Sequence, residues 1–298
     1  MGFKEIVRGI KEVRIQGAVN VAKSAVKAIV LLEEEHKLRN KDILLKALFQ
    51  AKNILIKTRP TEPCMQNALN YLFIHLQDEP DISGAIKKRA EQVLNHFDDS
   101  LVKIAKIGSK KIMNKSIIFT HCHSNTVMAV FFEAKKLGKT FTVHNTETRP
   151  LFQGRITAQE LARKQIPVTH FIDSAARLAL KNADLMLIGA DAITTEGKII
   201  NKIGSELFAE IAQKFDVPVY ACADSWKFDP KTIFGYEEEI EKRNAREVWP
   251  AAPKGVIVSN LAFEKINPDF VAGVISEIGV YKPSVFIEEV KKVYPWIF

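Results

Sequence analysis

Short apolar runs alternate with helical patterns along the second half of this chain, and no other feature of the sequence limits its fold as strongly. Six runs rich in β-branched and aliphatic residues predict buried strands at residues 116–120, 140–144, 167–172, 185–188, 218–222 and 255–258. Helical patterns lie between them at residues 125–137, 157–164, 174–181 and 205–214. Such an alternation is typical of α/β proteins and predicts a doubly wound parallel sheet.

The first part of the chain has a different pattern and is predicted to be helical. Ile6 and Ile10 recur at helical spacing, and further helices are predicted at residues 43–55, 61–76 and 85–107. We therefore predict a helical N-terminal domain with a linker helix over residues 1–112, and a sheet domain over residues 113–298. A chain of 298 residues is long enough for two such domains.

Charge and composition argue against several classes of function. The chain carries a net charge of +8, and we interpret its densest basic patch, residues 103–115, as a solvated helix face rather than a nucleic-acid surface. No basic tail or stacked-aromatic motif supports nucleic-acid binding. The dinucleotide fingerprint and the P-loop are absent. Neither a nicotinamide cofactor nor nucleotide hydrolysis is therefore predicted, and no cofactor is expected.

The sequence also predicts where the protein works. Its three cysteines give no disulfide framework, which fits a reducing cytoplasm. Lys4 and Glu5 stand where a signal peptide needs an apolar core. No apolar run reaches membrane-spanning length. We predict a cytoplasmic protein with no membrane partner.

Cys122 lies between the strand predicted at residues 116–120 and the helix that follows it. Ligands of open α/β sheets bind at this edge, and Ser124 or Asn125 can cap the helix. A thiol near a helix N-terminus is expected to have its thiolate favoured. The alternative is that Cys122 is a small residue filling the core.

Other polar segments follow predicted strands at residues 145–154, 189–193 and 223–227, so they should converge with Cys122. Asp191 follows an apolar run, and desolvation should raise the pKa of its carboxyl, which suits a general acid. A capping role for Asp191 is the alternative. Asn201 and Lys202 precede a helix and form a candidate phosphate site, unless they belong to a plain exposed loop.

His121 and His123 flank Cys122 and suggest zinc, but the sequence does not support a metal site. In an extended segment the two histidines would point to one side and Cys122 to the other. No Cys-x-x-Cys pair or second histidine pair completes a tetrahedral set. No metal is therefore predicted.

Several motifs together resemble one known superfamily. It contains the alpha, beta and delta subunits of translation initiation factor 2B, methylthioribose-1-phosphate isomerase and ribose-1,5-bisphosphate isomerase. The resemblance rests on Thr120-His121-Cys122-His123-Ser124, Thr146-Glu147-Thr148-Arg149-Pro150 with Gln153-Gly154, Asp173-Ser174-Ala175-Ala176-Arg177, and Gly189-Ala190-Asp191 with Asn201-Lys202-Ile203-Gly204. It implies a helical N-terminal domain joined to a Rossmann-like domain.

Within the superfamily, Thr58-Arg59-Pro60-Thr61 followed by Asn67-Ala68-Leu69 makes the chain most similar to the ribose-1,5-bisphosphate isomerase group. The resemblance implies that Cys122 is the catalytic thiol and Asp191 the catalytic carboxylate. It also implies a substrate-binding set of Gln16, Gly17, Ala18, Arg59, Ser124, Asn125, Thr126, Arg149, Gln153, Asn201, Lys202 and Lys227.

Two departures from the family pattern stand out. The isomerases have Ile-Arg-Gly-Ala where this chain has Ile15-Gln16-Gly17-Ala18, so one bidentate phosphate clamp is lost. Arg14 is a candidate to compensate in part. Glu264 stands where the family usually has Asp.

The implied activity is conversion of ribose 1,5-bisphosphate to ribulose 1,5-bisphosphate, by proton transfer or by a hydride shift between C1 and C2. Two alternatives stay open: methylthioribose-1-phosphate isomerase, and a non-catalytic regulatory subunit that binds a sugar phosphate or nucleotide. The resemblance also implies AMP salvage, AMP as a candidate activator, and a homo-oligomer, either a dimer or a trimer of dimers. The apolar end Val293-Tyr294-Pro295-Trp296-Ile297-Phe298 fits an oligomer contact or packing on its own domain.

Overall fold

The first third of the chain is helical, as predicted. The computed structural model describes residues 2–36, 40–237 and 240–298. Five amphipathic helices come first: α1 (Phe3–Lys11), α2 (Ala18–His36), α3 (Lys41–Thr58), α4 (Pro63–Phe73) and α5 (Ile82–Ser109). Asn40 caps α3 and Asp81 caps α5, each accepting hydrogen bonds from the backbone N–H groups of the first turn.

Strands and helices alternate through the rest of the chain, which confirms the predicted α/β class. The strands are β1 (Ser116–Thr120), β2 (Phe141–Thr146), β3 (Val168–Phe171), β4 (Leu185–Gly189), β5 (Ala192–Ile193), β6 (Ile199–Lys202), β7 (Val219–Cys222), β8 (Phe263–Ile266), β9 (Gly273–Ser276) and β10 (Gly279–Tyr281). The helices among and after them are α6 (Asn125–Lys136), α7 (Gln153–Arg163), α8 (Ala176–Leu180), α9 (Ser205–Lys214) and α10 (Pro283–Val293).

The main sheet has seven strands in the order β10-β9-β7-β4-β1-β2-β3 and is parallel except for β10. Phe119 of β1 pairs with His144 of β2 on one side and with Met186 of β4 on the other. The chain therefore runs outward from β1 to β3 and returns to the centre at β4. In such sheets ligands bind where the direction reverses, outside the carboxyl ends of β1 and β4.

One predicted strand is wrong. Residues 255–258 are irregular, and Ile257 is 96% exposed while Val256 is 47% exposed. Fully buried β9 lies in the sheet instead, next to β7. Both segments are short apolar runs, and periodicity does not distinguish such runs. The small antiparallel sheet β5-β6-β8 was not predicted.

The apolar core is continuous from the helical region into the sheet, with one buried cluster extending from Phe3 to Ile297. The division at residue 112 stays a prediction. Helix α5 packs closely on α6, because a Cβ on Gly108 would lie 2.6 Å from Val130 Cγ2. The C-terminal end packs on its own chain, where the Trp296 ring lies 4.9 Å from the Trp226 ring. Within the described residues, no helix is long and apolar enough to cross a membrane.

Candidate active site

A cavity of about 340 Å³ opens at the reversal point of the sheet. It is lined by every residue of the predicted site except Arg149: Gln16, Gly17, Ala18, Arg59, Cys122, Ser124, Asn125, Thr126, Gln153, Asp191, Asn201, Lys202 and Lys227. Arg149 is exposed, and its guanidinium donates to Val248 O over 3.3 Å. The structure thus brings residues from both halves of the chain to one edge of the sheet.

Cys122 lies two residues after the end of β1 and has left-handed backbone geometry, with φ of 68°. Side chains fix this conformation from two sides. Its N–H donates to Thr148 Oγ1 at 3.0 Å, and its carbonyl accepts from Thr157 Oγ1 at 2.8 Å. A non-glycine residue held at positive φ costs free energy and is common at functional sites. The strained bend places the thiol at the cavity rather than in the core.

The expectation of a favoured thiolate at Cys122 is wrong. Burial raises the pKa of the Cys122 thiol to about 11, and the positive charge of Lys202 offsets this only in part. Helix α6 begins at Asn125, and Ser124 is its N-cap, so Cys122 lies before the cap rather than in the first turn. The helix N-terminus is therefore too far along the chain to outweigh desolvation.

Asp191 lies between the end of β4 and the start of β5. Its N–H donates to Ile200 O at 2.8 Å, which fixes the carboxyl at the cavity wall. Burial raises the pKa of this carboxyl, against the positive charges of Lys227, Lys202 and Arg59. The prediction of a desolvated carboxyl with a raised pKa is confirmed.

Three helices begin at the cavity, and their first residues line it: Ala18 of α2, Asn125 of α6 and Gln153 of α7. Helix N-termini present unpaired N–H groups and a positive dipole end, which suit phosphate. Gly189 permits close packing here, because a Cβ on it would lie 2.7 Å from the Ser124 Oγ. Ser124 in turn accepts from Val127 N at 3.4 Å and caps α6.

Arg59 is buried at the cavity wall between two carboxylates. Its Nη2 lies 2.8 Å from Glu62 Oε1 and 3.0 Å from Glu241 Oε2. Glu62 is almost fully buried, and burial raises the pKa of its carboxyl to about 7 despite the charge of Arg59. Glu62 Oε2 has no hydrogen-bond partner among the described residues. The charge of Arg59 is thus compensated before any substrate binds.

The two lysines at the cavity have different partners. Lys227 is buried, and its Nζ donates to Ala190 O, next to Asp191. Lys202 Nζ lies 4.7 Å from the centre of the Phe263 ring. Asn201 is buried and donates to Ser205 Oγ at 3.0 Å, at the start of α9. The arrangement gives the cavity two ammonium groups on the same side as Asp191.

The sequence prediction missed two charged residues that line the cavity, Glu62 and Arg243. Glu62 comes three residues after Arg59, just before α4, and this spacing could have indicated an ion pair between them. Arg243 lies in an irregular segment and pairs with Glu247 at 2.7 Å, so no periodic pattern pointed to it. Arg14 pairs with Glu12 instead of lining the cavity, and does not replace the arginine missing at Gln16.

The histidines beside Cys122 make hydrogen bonds to neighbouring segments of the sheet domain. His121 Nδ1 lies 2.6 Å from Thr146 Oγ1, and its Nε2 lies 2.9 Å from Ile203 O. Burial lowers the pKa of His121 to about 4, so the ring is neutral. His123 Nδ1 lies 3.1 Å from Thr157 Oγ1. Both nitrogens of His121 are therefore engaged in hydrogen bonds that hold β1 and its neighbours.

Comparison with known proteins gives a consistent set of likenesses. A model of the Initiation factor 2 subunit family matches residues 14–283. The chain is 38% identical to ribose 1,5-bisphosphate isomerase from Thermococcus kodakarensis, over 98% of this chain and 94% of that protein. It resembles the crystal structure of translation initiation factor eIF-2B from Pyrococcus horikoshii OT3, with a TM-score of 0.82, 27% identity, and coverage of 94% and 97%. It also resembles 5-methylthioribose 1-phosphate isomerase from the same organism, with a TM-score of 0.80, 25% identity, and coverage of 99% and 88%.

Proposed function

The chain belongs to the Initiation factor 2 subunit family, and from that premise we propose that it is a sugar-phosphate isomerase converting ribose 1,5-bisphosphate to ribulose 1,5-bisphosphate. The observation that carries the proposal is that Cys122 and Asp191 line one cavity together with Arg59, Lys202 and Lys227. A thiol and a carboxylic acid can supply the proton transfers of an aldose–ketose isomerisation. The cations suit a doubly phosphorylated sugar.

The proposed reaction begins with ring opening. Protonated Asp191 gives its proton to the ring oxygen as the bond from C1 to that oxygen breaks. The Cys122 thiolate takes the proton of C2, and the electron pair of that bond forms the C1=C2 bond of an enol. The Asp191 carboxylate then takes the proton of the C2 hydroxyl as the carbonyl forms, and the Cys122 thiol returns its proton to C1. Both residues regain their starting state, and both phosphates stay in place.

The reaction starts from protonated Asp191 and the Cys122 thiolate. This arrangement is less populated than the one in which Asp191 is a carboxylate and Cys122 holds the proton. With the pKa of Cys122 at about 11, its thiolate is a minor species at neutral pH. The raised pKa of Asp191 lessens the penalty, because it increases the share of molecules in which the carboxyl holds the proton. The positive charge of Lys202 lowers the pKa of the Cys122 thiol and so favours the thiolate, but it also lowers the pKa of Asp191 and so favours loss of the proton that the carboxyl must hold.

We assign the two phosphates to the cations and to the helix N-termini at the cavity. Gln16, Gly17 and Ala18 lie at the start of α2, where the free N–H groups suit one phosphate. Ser124, Asn125 and Thr126 offer a second such site at the start of α6. Holding both ends of the sugar fixes C1 and C2 relative to the thiol and the carboxyl. Asn201 and Gln153 complete the proposed substrate-binding set, and Arg149, which does not line the cavity, is left out of it.

The decisive experiment follows purified protein with ribose 1,5-bisphosphate by phosphorus NMR, beside Cys122→Ser and Asp191→Asn. Wild type should form ribulose 1,5-bisphosphate, and each variant should lose about 10²–10⁴-fold in rate. Solvent deuterium at C1 of the product supports proton transfer, whereas full retention of the C2 hydrogen supports a hydride shift. No turnover by wild type, with or without AMP, would contradict the proposal.

A second candidate substrate is 5-methylthioribose 1-phosphate. Apolar side chains of Val19, Leu151 and Ile156 line the cavity and could receive a methylthio group, and Gln16 leaves the site one cation poorer than the family pattern. Turnover of the two sugars by the wild type, measured side by side, separates the two candidates. A kcat/KM at least about tenfold higher for ribose 1,5-bisphosphate supports the bisphosphate, and the reverse supports the methylthio sugar.

The wider context stays part of the proposal. We place the reaction in AMP salvage, with AMP as a candidate activator and with a homo-oligomer as the working form. A purely regulatory subunit is disfavoured, because it would need neither the thiol nor the carboxylic acid at the cavity. Turnover that is lost in both Cys122→Ser and Asp191→Asn would rule that alternative out.

A further inference from the structure

Three charged side chains form a cluster behind the active site, beside the 3₁₀ turn Ser225–Lys227. His96 comes from α5, Asp224 precedes the turn, and Glu277 follows β9. One nitrogen or oxygen atom from each lies within 4.8 Å of the others. His96 Nε2 lies 3.2 Å from Asp224 Oδ1 and 3.1 Å from Asp224 Oδ2. The described lining of the cavity includes none of the three.

The cluster holds the turn that carries Lys227. Asp224 Oδ1 accepts from Trp226 N at 2.9 Å, and Asp224 O accepts from Lys227 N at 3.1 Å. Glu277 accepts from the Ser225 N–H at 3.1 Å and from the Ser225 hydroxyl. Asp224 and Glu277 thus hold the backbone of the turn from its beginning. The amine of Lys227 extends from this turn to Ala190 O at the cavity.

His96 also fixes the turn through its ring. The imidazole stacks on the Trp226 indole, with centroids 4.0 Å apart and planes 14° apart. Tyr71 and Trp296 pack against the same indole, with ring centroids 5.5 Å and 4.9 Å from it, and their own rings lie 5.2 Å apart. Asn67 Nδ2 donates to Trp226 O at 2.8 Å. A shift of Trp226, and with it Lys227, would therefore disrupt several buried contacts.

The charges of the cluster balance near neutral pH. Burial disfavours the imidazolium of His96, but the charge and the hydrogen bond of Asp224, together with the charge of Glu277, outweigh burial and raise the pKa of His96, while Lys103 opposes the rise. Burial likewise opposes ionisation of Asp224, but His96 keeps its pKa low. Burial and the charge of Asp224 raise the pKa of Glu277 to about 7, and the Tyr294 hydroxyl donates to Glu277 at 3.2 Å. His96 is the cation that compensates these two buried acids.

We propose that His96 is a positioning residue for the isomerisation, which holds Lys227 in the cavity through Asp224 and Trp226. The inference rests on the proposed function, since Lys227 is there assigned to a substrate phosphate. His96 has no contact with substrate in this arrangement. It acts by keeping the Asp224 carboxylate charged and in place, and by filling the space against the indole.

A metal site is the competing interpretation of the same cluster, and the hydrogen bonds argue against it. Both oxygens of Glu277 already accept hydrogen bonds, from Ser225 and from Tyr294. Asp224 Oδ1 accepts from Trp226 N. A metal ion would have to share the carboxylate oxygens with these donors and take His96 Nε2 from Asp224 Oδ2, which lies 3.1 Å away. Asp224 Oδ2 accepts no hydrogen bond among the described residues, so EDTA treatment of the protein decides between the two interpretations.

The test uses the cavity thiol and inorganic phosphate, so it does not depend on turnover. Cys122 is partly exposed, whereas Cys64 and Cys222 are buried, so alkylation with iodoacetamide reports on Cys122. The phosphate concentration that half-protects Cys122 is measured in wild type, His96→Phe, Lys227→Met and the double variant. His96→Phe keeps a stacked ring but loses the partner of Asp224. Added to the wild-type chain, His96→Phe should raise the phosphate concentration that half-protects Cys122 about tenfold. Added to Lys227→Met, it should leave that concentration unchanged.

Kinetics with ribose 1,5-bisphosphate give a second measurement. His96→Phe should raise KM about tenfold and change kcat by less than about threefold, because Lys227 binds a phosphate in the ground state as well. His96→Gln should restore most of the loss, since the amide can still donate to Asp224. His144→Phe is the matched control, a histidine whose Nδ1 contacts Ala179 O at 2.8 Å in another part of the sheet.

Three results would overturn the inference. The first is that His96→Phe leaves the half-protecting phosphate concentration unchanged. The second is that His96→Phe raises this concentration by the same factor in the wild-type chain and in Lys227→Met. The third is a loss of protection when wild type is treated with EDTA, which would identify the cluster as a metal site. Absence of turnover in wild type with the expected protection results would instead reject the proposed function and leave the positioning role of His96 supported.

Discussion

Glu241 offers a direct test of whether Arg59 binds a substrate phosphate. Its carboxylate lies 3.0 Å from Arg59 Nη2, yet Glu241 itself does not belong to the described cavity lining. A phosphate that binds Arg59 from the cavity would meet a guanidinium whose charge is already shared by Glu62 and Glu241. The variant Glu241→Gln keeps the shape of the side chain and removes one of these negative charges. We expect it to bind substrate more tightly and to fold less stably.

The magnitudes follow from the geometry. A phosphate bound to the cavity side of Arg59 would lie about 6 Å from the Glu241 carboxylate, and at an effective dielectric of about 40 one pair of charges at that distance repels by about 1.4 kcal/mol. KM for the bisphosphate should therefore fall about tenfold in Glu241→Gln. The side chains of Arg59 and Glu241 are 10% and 22% exposed, so the lost ion pair should cost about 1 kcal/mol of stability. That cost corresponds to a decrease in Tm of about 2 °C.

Steady-state kinetics and thermal unfolding measure the two effects on the same preparations. Glu79→Gln is the matched control, because Glu79 pairs with Arg89 at 2.6 Å in the helical region, away from the cavity. It should lose similar stability with KM unchanged. If Glu241→Gln leaves KM unchanged or raises it, Arg59 does not hold a phosphate, or Glu241 is needed to orient Arg59. Either result would refute the reasoning.

Three further predictions concern the cavity wall. Gly189→Ala places a methyl group against the Ser124 hydroxyl, so the free energy of unfolding should fall by at least the loss of an N-cap, about 1 kcal/mol, Tm should fall by about 2 °C or more, and KM should rise. If the Cys122 thiolate is the base, Asp191 and Cys122 must share one proton, so kcat/KM should increase with pH through the raised pKa of Asp191 and stay level until pH reaches about 11, the pKa of Cys122. A hydride shift needs only the proton on Asp191, so kcat/KM should then decrease above the pKa of Asp191. Lys202→Met should raise both KM and the pKa of Cys122, which is measured as slower alkylation of the thiol at pH 9.

Much of the sheet was predictable because its central strands are short buried runs followed by polar residues. Strands β1, β2, β3, β4 and β7 all overlap predicted strands. Cys122 and Asp191 were found by the same rule, since both follow central strands that meet at one edge. The run at residues 255–258 failed because an apolar composition alone cannot tell a buried strand from an exposed loop.

The electrostatics of the site were harder to predict than its location. The expectation of a thiolate at Cys122 considered the nearby helix N-terminus but not the burial of the thiol. Burial depends on the whole fold, so the local sequence did not indicate it. Arg243 reaches the cavity from a segment without regular structure. Neither a hydrophobic periodicity nor a sequence motif therefore indicated it. The cluster of His96, Asp224 and Glu277 joins residues far apart in sequence, which only the tertiary structure brings together.

The partners of the cations indicate what kind of ligand the cavity can select. Arg59 is compensated by Glu62 and Glu241, and Arg243 pairs with Glu247, so neither guanidinium attracts an anion at full strength. Lys202 lies over Phe263 and is paired with no carboxylate among the residues that the structure describes. Lys227, whose amine donates to Ala190 O, likewise has no carboxylate partner within the described residues. A phosphate should therefore bind first near a lysine, and any phosphate that also binds an arginine must compete with existing ion pairs. That exchange is favourable only for a ligand of high charge density, so the compensated arginines discriminate against neutral sugars and single carboxylates.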